Sequence, residues 1–157
     1  AVAGEFAFTV DSWQKVIRKH RIEPSFEVVE TYPAPGPNPS CLYWDGRNLW
    51  SCDSGSARIY LHGDSPFVIA DAYSAPAGAP VAVTKENDWL WSADCETGKI
   101  YKHELDQKLT LAQTFNIIAA KDRMPLGGLA LKDGFFWIVK DGSNVLLKIP
   151  KNHLRAD

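Results

Sequence analysis

The chain has 157 residues, 45% of them hydrophobic and 23% charged, with a formal net charge of −2. That is ordinary globular composition, sized for one domain with a sizeable core. A pI of about 6.1 leaves no basic footprint for nucleic acid or an anionic membrane. No apolar run approaches the roughly 18 residues that a membrane-spanning helix needs.

Residues 1–8 are set aside as a tag or a disordered N-terminus, or the mature end left by signal cleavage. Residues 9–24 are expected to hold a short helix, because Val10, Trp13, Val16 and Ile17 recur at helical spacing. Asp11 and Gln14 have the spacing of a capping box, Lys19, His20 and Arg21 suit the C-terminal end of the dipole, and Pro24 stops the run. From residue 25 the pattern changes to short strands. FEVVETY (26–32) alternates and is β-branched, and PAPGPNPS (33–40) is a loop because proline removes ladder donors. CLYWDGRNLWSCD reads as strand, turn, strand, followed by the strands ARIYLHG and PFVIADAY and the loop SAPAGAP. A second pass follows in VAVTKENDWLWSAD, GKIYKHEL and LTLAQTF, and a third in GGLALKDGFFWIVKD and NVLLKIP.

The three cysteines form no zinc or redox spacing. Cys41 and Cys52 flank the first predicted hairpin. A Gly46-Arg47 turn would set them directly opposite, within bridging reach, whereas an Asp45-Gly46 turn would set Cys41 against Trp50. Free buried thiols and a structural disulfide are the two outcomes.

LWSCDSGSARIY (49–60) returns as LWSADCETGKIY (90–101) and as FWIVKDGSNVLL (136–147). Asp133-Gly134 matches Asp45-Gly46, and Tyr32, Tyr73 and Phe115 track the Trp spacing. Four short antiparallel strands in each of these repeats is the unit of a β-propeller blade. In CLYWDGRNLWSCDSGSARIYL and GGLALKDGFFWIVKDGSNVLLK the chain resembles the broad group of propellers that includes NHL-repeat, gluconolactonase-like and glutaminyl-cyclase-like proteins. The resemblance implies an all-β fold with three four-stranded repeats over residues 25–157. It does not assign an activity, because such folds host many.

Three blades are too few to close a ring, and FEVVETY precedes the first repeat while the last repeat lacks an outer strand. A homodimer with six blades, each subunit lending its first strand to the other's last blade, resolves both facts. The function expected is a non-catalytic ligand- or protein-binding scaffold. The alternative is a propeller enzyme resembling the lactonase-like or glutaminyl-cyclase-like types. Partners are a second copy and a protein or small-molecule ligand, with no nucleic acid. Location is left open, with an extracytoplasmic or membrane-anchored soluble domain preferred.

The loops joining strands d to a and b to c should share one end of the blades, and a ligand site belongs there. Its residues are Asp53, Asp94, Lys140 and Asp141 in the b–c loops, with Lys121 and Arg123 in the longest connection. The recurring Asp suits either a divalent cation, through hard oxygen ligands, or a cap on its own turn. No cofactor is assigned, and no metal ligand set. Trp50, Trp91 and Trp137 fit blade-to-blade packing, and Trp44 and Trp89, which do not recur, fit exposure or a dimer seam. His62 and His103 map to the opposite end, on adjacent blades.

Overall fold

A computed structural model describes residues 1–63, 68–117 and 124–157. The first sheet contains β1 (Val2–Ala3), β2 (Phe6–Asp11), β3 (Val16–Arg21) and β4 (Glu27–Pro33), in that spatial order. The second contains β5 (Pro39–Trp44), β6 (Leu49–Asp53), β7 (Arg58–His62) and β8 (Ile69–Ser74). The third contains β9 (Pro80–Glu86), β10 (Trp89–Asp94), β11 (Ile100–Glu104) and β12 (Leu111–Ile117), and the fourth β13 (Leu126–Lys132), β14 (Phe135–Lys140) and β15 (Leu146–Pro150). After a 3-10 turn at Lys151–His153, β16 (Leu154–Ala156) pairs with the outer edge of β12. Among the described residues no helix is long and apolar enough to cross a membrane.

The helix expected at 9–24 is not formed, and residues 1–8 contribute β1 and half of β2. Val10 and Ile17 are cross-strand partners in the β2–β3 hairpin rather than neighbours on a helix face. β-branched Thr9, Val10, Val16 and Ile17 favour the pleat. Asp11 caps a turn instead of a helix: its Oδ1 accepts the Trp13 N–H at 3.0 Å and the Gln14 N–H at 2.9 Å. Lys15 closes that turn at φ 55°, and Trp13 stands 94% exposed at its tip.

The blade count is corrected as well: there are four sheets, not three repeats. Phe8, Asp11 and His20 hold the places of Trp50, Asp53 and His62, and of Trp91, Asp94 and His103. FEVVETY is the outer strand of this first sheet, paired with β3, so it is not free to complete a partner's last blade. The six-bladed count falls with it, since two such chains would hold eight blades.

The core lies in three layers between successive sheets. Phe8, Ile17 and Tyr32 pack with Leu49 between the first and second. Trp50, Cys52 and Ile59 pack with Val83 and Leu90 between the second and third. Trp91, Ala93 and Ile100 pack with Phe136 and Ile138 between the third and fourth. Strands β6 and β10 are therefore buried on both faces, which explains why their sequences run apolar without strict alternation. Among the described residues, β1 and β2 pack on β5, β5 and β6 on β9, and β9 and β10 on β13. Among the described residues no contact of comparable extent joins the fourth sheet to the first. The sheets form an open arc with β5, β9 and β13 on its inner side.

Candidate functional site

The d–a and b–c loops do meet at one end, and recurring carboxylates tie them together. Asp53 Oδ2 accepts the Asn38 N–H at 2.6 Å. Its Oδ1 accepts the Ser56 N–H at 2.6 Å and the Ser56 hydroxyl at 2.7 Å. Asp94 repeats the arrangement, with the Ala79 N–H at 2.7 Å on Oδ2, and the Thr97 N–H at 2.7 Å and Thr97 hydroxyl at 2.9 Å on Oδ1. A reciprocal backbone bond crosses beside each carboxylate: Ser54 N–H to Asn38 O at 3.0 Å, and Cys95 N–H to Ala79 O at 2.9 Å. The loops close so tightly that a Cβ on Gly36, which sits at φ 129°, would lie 2.5 Å from the Asp53 carboxyl carbon. Both carboxylates are almost fully buried, 1% and 2% exposed, with three short donors each. Chemically they act as turn anchors, with three of the roughly four lone-pair positions on each occupied by the chain itself.

At the equivalent place in the fourth sheet stands Lys140, and among the described residues the tie that remains is the backbone one, Asp141 N–H to Pro125 O at 2.9 Å. Ser143 steadies that turn by donating to the Lys140 carbonyl at 3.1 Å. Asp141 is exposed, and its carboxylate accepts the Cys95 thiol at 3.8 Å. Burial, reinforced by that carboxylate, raises the Cys95 pKa. Lys121 and Arg123 lie outside the described residues. Of the six expected site residues, Asp53 and Asp94 are engaged in the loops, and Lys140 and Asp141 leave polar groups at the surface.

A set of hydroxyl–imidazole pairs was missed by the sequence reading. Thr9 and His20, Ser51 and His62, and Ser92 and His103 each share a 2.8 Å hydrogen bond across strands b and c. The signal was a Ser or Thr eleven residues before each His, which the fourth sheet replaces with Ile138 and Ile149. Burial pushes the His103 pKa down to about 4, opposed by the Leu109 carbonyl on its Nδ1. With the second and third pairs fully buried, neither hydroxyl can meet a substrate. They satisfy polar atoms between sheets.

Trp50 and Trp91 are packed between sheets as expected, whereas Trp137 is only half-buried and belongs to none of the three core layers. Trp91 meets Phe136 edge-on, with centroids 5.0 Å apart, and Trp50 stacks on Tyr73 at 6.2 Å and donates its indole N–H to Asp45 at 2.9 Å. Trp89 is half-buried with the Lys102 ammonium 3.7 Å above its ring. On the inner side of the arc all four sheets line a cavity of about 340 Å³, through Phe8 and Val10 of β2, Ser40 and Cys41 of β5, Val81 of β9 and Leu129 of β13. Ser40 donates to the Pro80 carbonyl at 2.6 Å, tying β5 to the start of β9.

Set beside known proteins, this geometry is familiar. The chain is a β-propeller. It superposes on a glutaminyl cyclase from Myxococcus xanthus with a TM-score of 0.71 at 14% identity, over 99% of this chain and 70% of that one. It superposes on a streptogramin B lyase with a TM-score of 0.72 at 15% identity, over 99% of this chain and 52% of the lyase. A computationally designed protein, Ika4, matches at 0.63 and 9% identity, over 94% of this chain and 88% of the design. The chain thus spans about half of the lyase and 70% of the cyclase. No family model matches the sequence, and no curated protein does. At these identities the likeness is one of fold.

Proposed function

We propose that this chain is a non-catalytic binding or scaffold propeller whose arc is completed by a second copy of itself. The observation that carries the reading is the uncovered face of the fourth sheet. Trp137, Val139 and Leu146 occupy the places of Trp91, Ala93 and Ile100, which the next sheet buries. At the other end, Ala7, Thr9 and His20 present the face that the second and third sheets turn to their predecessors through Leu49, Ser51 and His62, and Leu90, Ser92 and His103. A fourth sheet stacked on the first sheet of another copy repeats a contact the chain already makes internally. Two arcs would then give eight blades, within the usual range of four to eight. Ligand or partner contact is assigned to the loop end, through Lys140 and Asp141, because the recurring carboxylates there are spent on the backbone.

Light scattering at micromolar concentration tests the assembly. The wild type is expected at twice the 17.4 kDa chain mass, and Trp137→Glu at the chain mass. A monomeric wild type, or a Trp137→Glu dimer, sinks the proposal. A catalytic reading draws on two enzymes among the structural neighbours, a glutaminyl cyclase and a streptogramin B lyase. Turnover of a lactone or a glutaminyl peptide by the purified chain would favour it over the scaffold.

A further inference from the structure

The turn between β5 and β6 decides what the sequence left open about the cysteines. Trp44 pairs with Leu49, and the four residues 45–48 form the loop, closed by the Asp45 N–H to the Asn48 carbonyl at 3.1 Å. Asp45 Oδ1 also accepts the Arg47 N–H at 2.9 Å and the Asn48 N–H at 2.7 Å. This register makes Cys41 and Cys52 direct cross-strand partners. Directly opposed residues project from the same face, with Cα atoms about 4.5–5.5 Å apart, inside the roughly 4.4–6.8 Å span of a disulfide. Both are free thiols.

The two thiols differ in access. Cys41 is half-buried and lines the inner cavity, so a small solute can reach its sulfur. Cys52 is 1% exposed, and burial, then the Cys41 contact, raises its pKa well above the usual thiol value. Cys52 is therefore a poor nucleophile alone but is held against any product formed on Cys41.

We propose that Cys41 and Cys52 are a peroxide-responsive thiol pair on the inner strands of the second sheet, with Cys41 attacking and Cys52 resolving. The Cys41 thiolate attacks one oxygen of hydrogen peroxide. The O–O bond breaks, hydroxide leaves and takes up a proton to give water, and Cys41 becomes a sulfenic acid. The Cys52 sulfur then attacks the Cys41 sulfur, the S–O bond breaks, and the thiol proton leaves with the oxygen as a second water. Two thiols lose two electrons, peroxide gains them, and the new S–S bond joins β5 to β6 beside the bulge at Pro39–Cys41.

The test oxidises the folded full chain with hydrogen peroxide, alkylates the remaining thiols and maps peptides by mass spectrometry. The expected product is an intramolecular peptide linked through Cys41 and Cys52, a loss of about two hydrogens in mass, with Cys95 alkylated. Cys52→Ser should leave a Cys41 sulfenic acid that dimedone traps, and Cys95→Ser should leave the bridge intact. Wild-type protein alone decides the matter if Cys52→Ser does not fold. Oxidation of Cys95 ahead of Cys41, a bridge between chains, or over-oxidation of Cys41 with no linked peptide overturns the proposal.

Discussion

The third and fourth sheets descend from the same pattern and have different surroundings. In the third, Ile100 is 0% exposed and Ala93 1%, because the fourth sheet covers them; their counterparts Leu146 and Val139 stand 59% and 43% exposed. The fourth sheet has also lost the Asp anchor, to Lys140, and the hydroxyl–imidazole pair, to Ile138 and Ile149. A repeat thus keeps its strand hydrogen bonding on local pattern alone, while the value of each side chain depends on the sheet that lies against it. The largest expected effect follows directly. Trp91→Ala should cost about 3–5 kcal/mol in chemical denaturation, since it empties a packed aromatic site against Phe136. Trp137→Ala in the isolated chain should cost well under half of that. Equal costs would mean that the fourth sheet's outer face is already covered within one chain.

Much of this contrast was readable in advance. The Trp, Asp and Tyr spacing gave the second, third and fourth sheets, their loop ends and the packing role of Trp50 and Trp91. The first sheet escaped because Phe8 replaces Trp, Arg18 replaces Tyr60, and SWQK replaces the glycine-bearing turn. With those markers gone, Val10, Trp13 and Ile17 matched a helical period. The Asp-to-His interval, shared by Asp11/His20, Asp53/His62 and Asp94/His103, still carried the register. The strand β16 was not legible, because three residues, LRA, hold no period, and only the open edge of β12 determines where they lie. The spent state of Asp53 and Asp94 was half legible: recurrence pointed to architecture, but donors such as the Asn38 and Ala79 N–H come from loops whose approach only the folded chain defines.

The next effect is a pH dependence that the fourth sheet lacks. His103 has a folded pKa of about 4, against about 6.5 for an unfolded histidine. As pH falls below 6.5 the unfolded chain takes up the proton first, so the stability carried by this site is full above 6.5 and drains away towards 4. Between pH 7 and 5 the loss should be about 2 kcal/mol at roughly 1.4 kcal/mol per unit. The double variant Ser92→Ile with His103→Ile copies the fourth sheet and should remove that part of the slope. Carboxylates titrate in both proteins, so the quantity to read is the difference between their denaturation free energies. An unchanged difference across that range would mean that His103 takes up its proton in the folded chain as readily as in the unfolded one.

The smallest effect sharpens the contrast at the loop end. Asp94→Ala leaves the Ala79 and Thr97 N–H groups without their acceptor, at a cost of about 2 kcal/mol by the usual loss of a buried cap. Lys140→Ala, at the equivalent place, should stay within about 0.5 kcal/mol, as surface changes do. The pair of variants separates two roles for the recurring carboxylate. A turn anchor predicts that Asp94→Ala loosens the 77–79 and 95–98 loops together, visible as faster amide exchange at Ala79 and Thr97, and that calcium does not raise the wild-type melting temperature. A cation ligand predicts a calcium-dependent rise that Asp94→Ala abolishes. Three donors already sit within 2.9 Å of the Asp94 oxygens, so a cation would first have to displace the backbone that closes the blade, and the anchor outcome is the one expected.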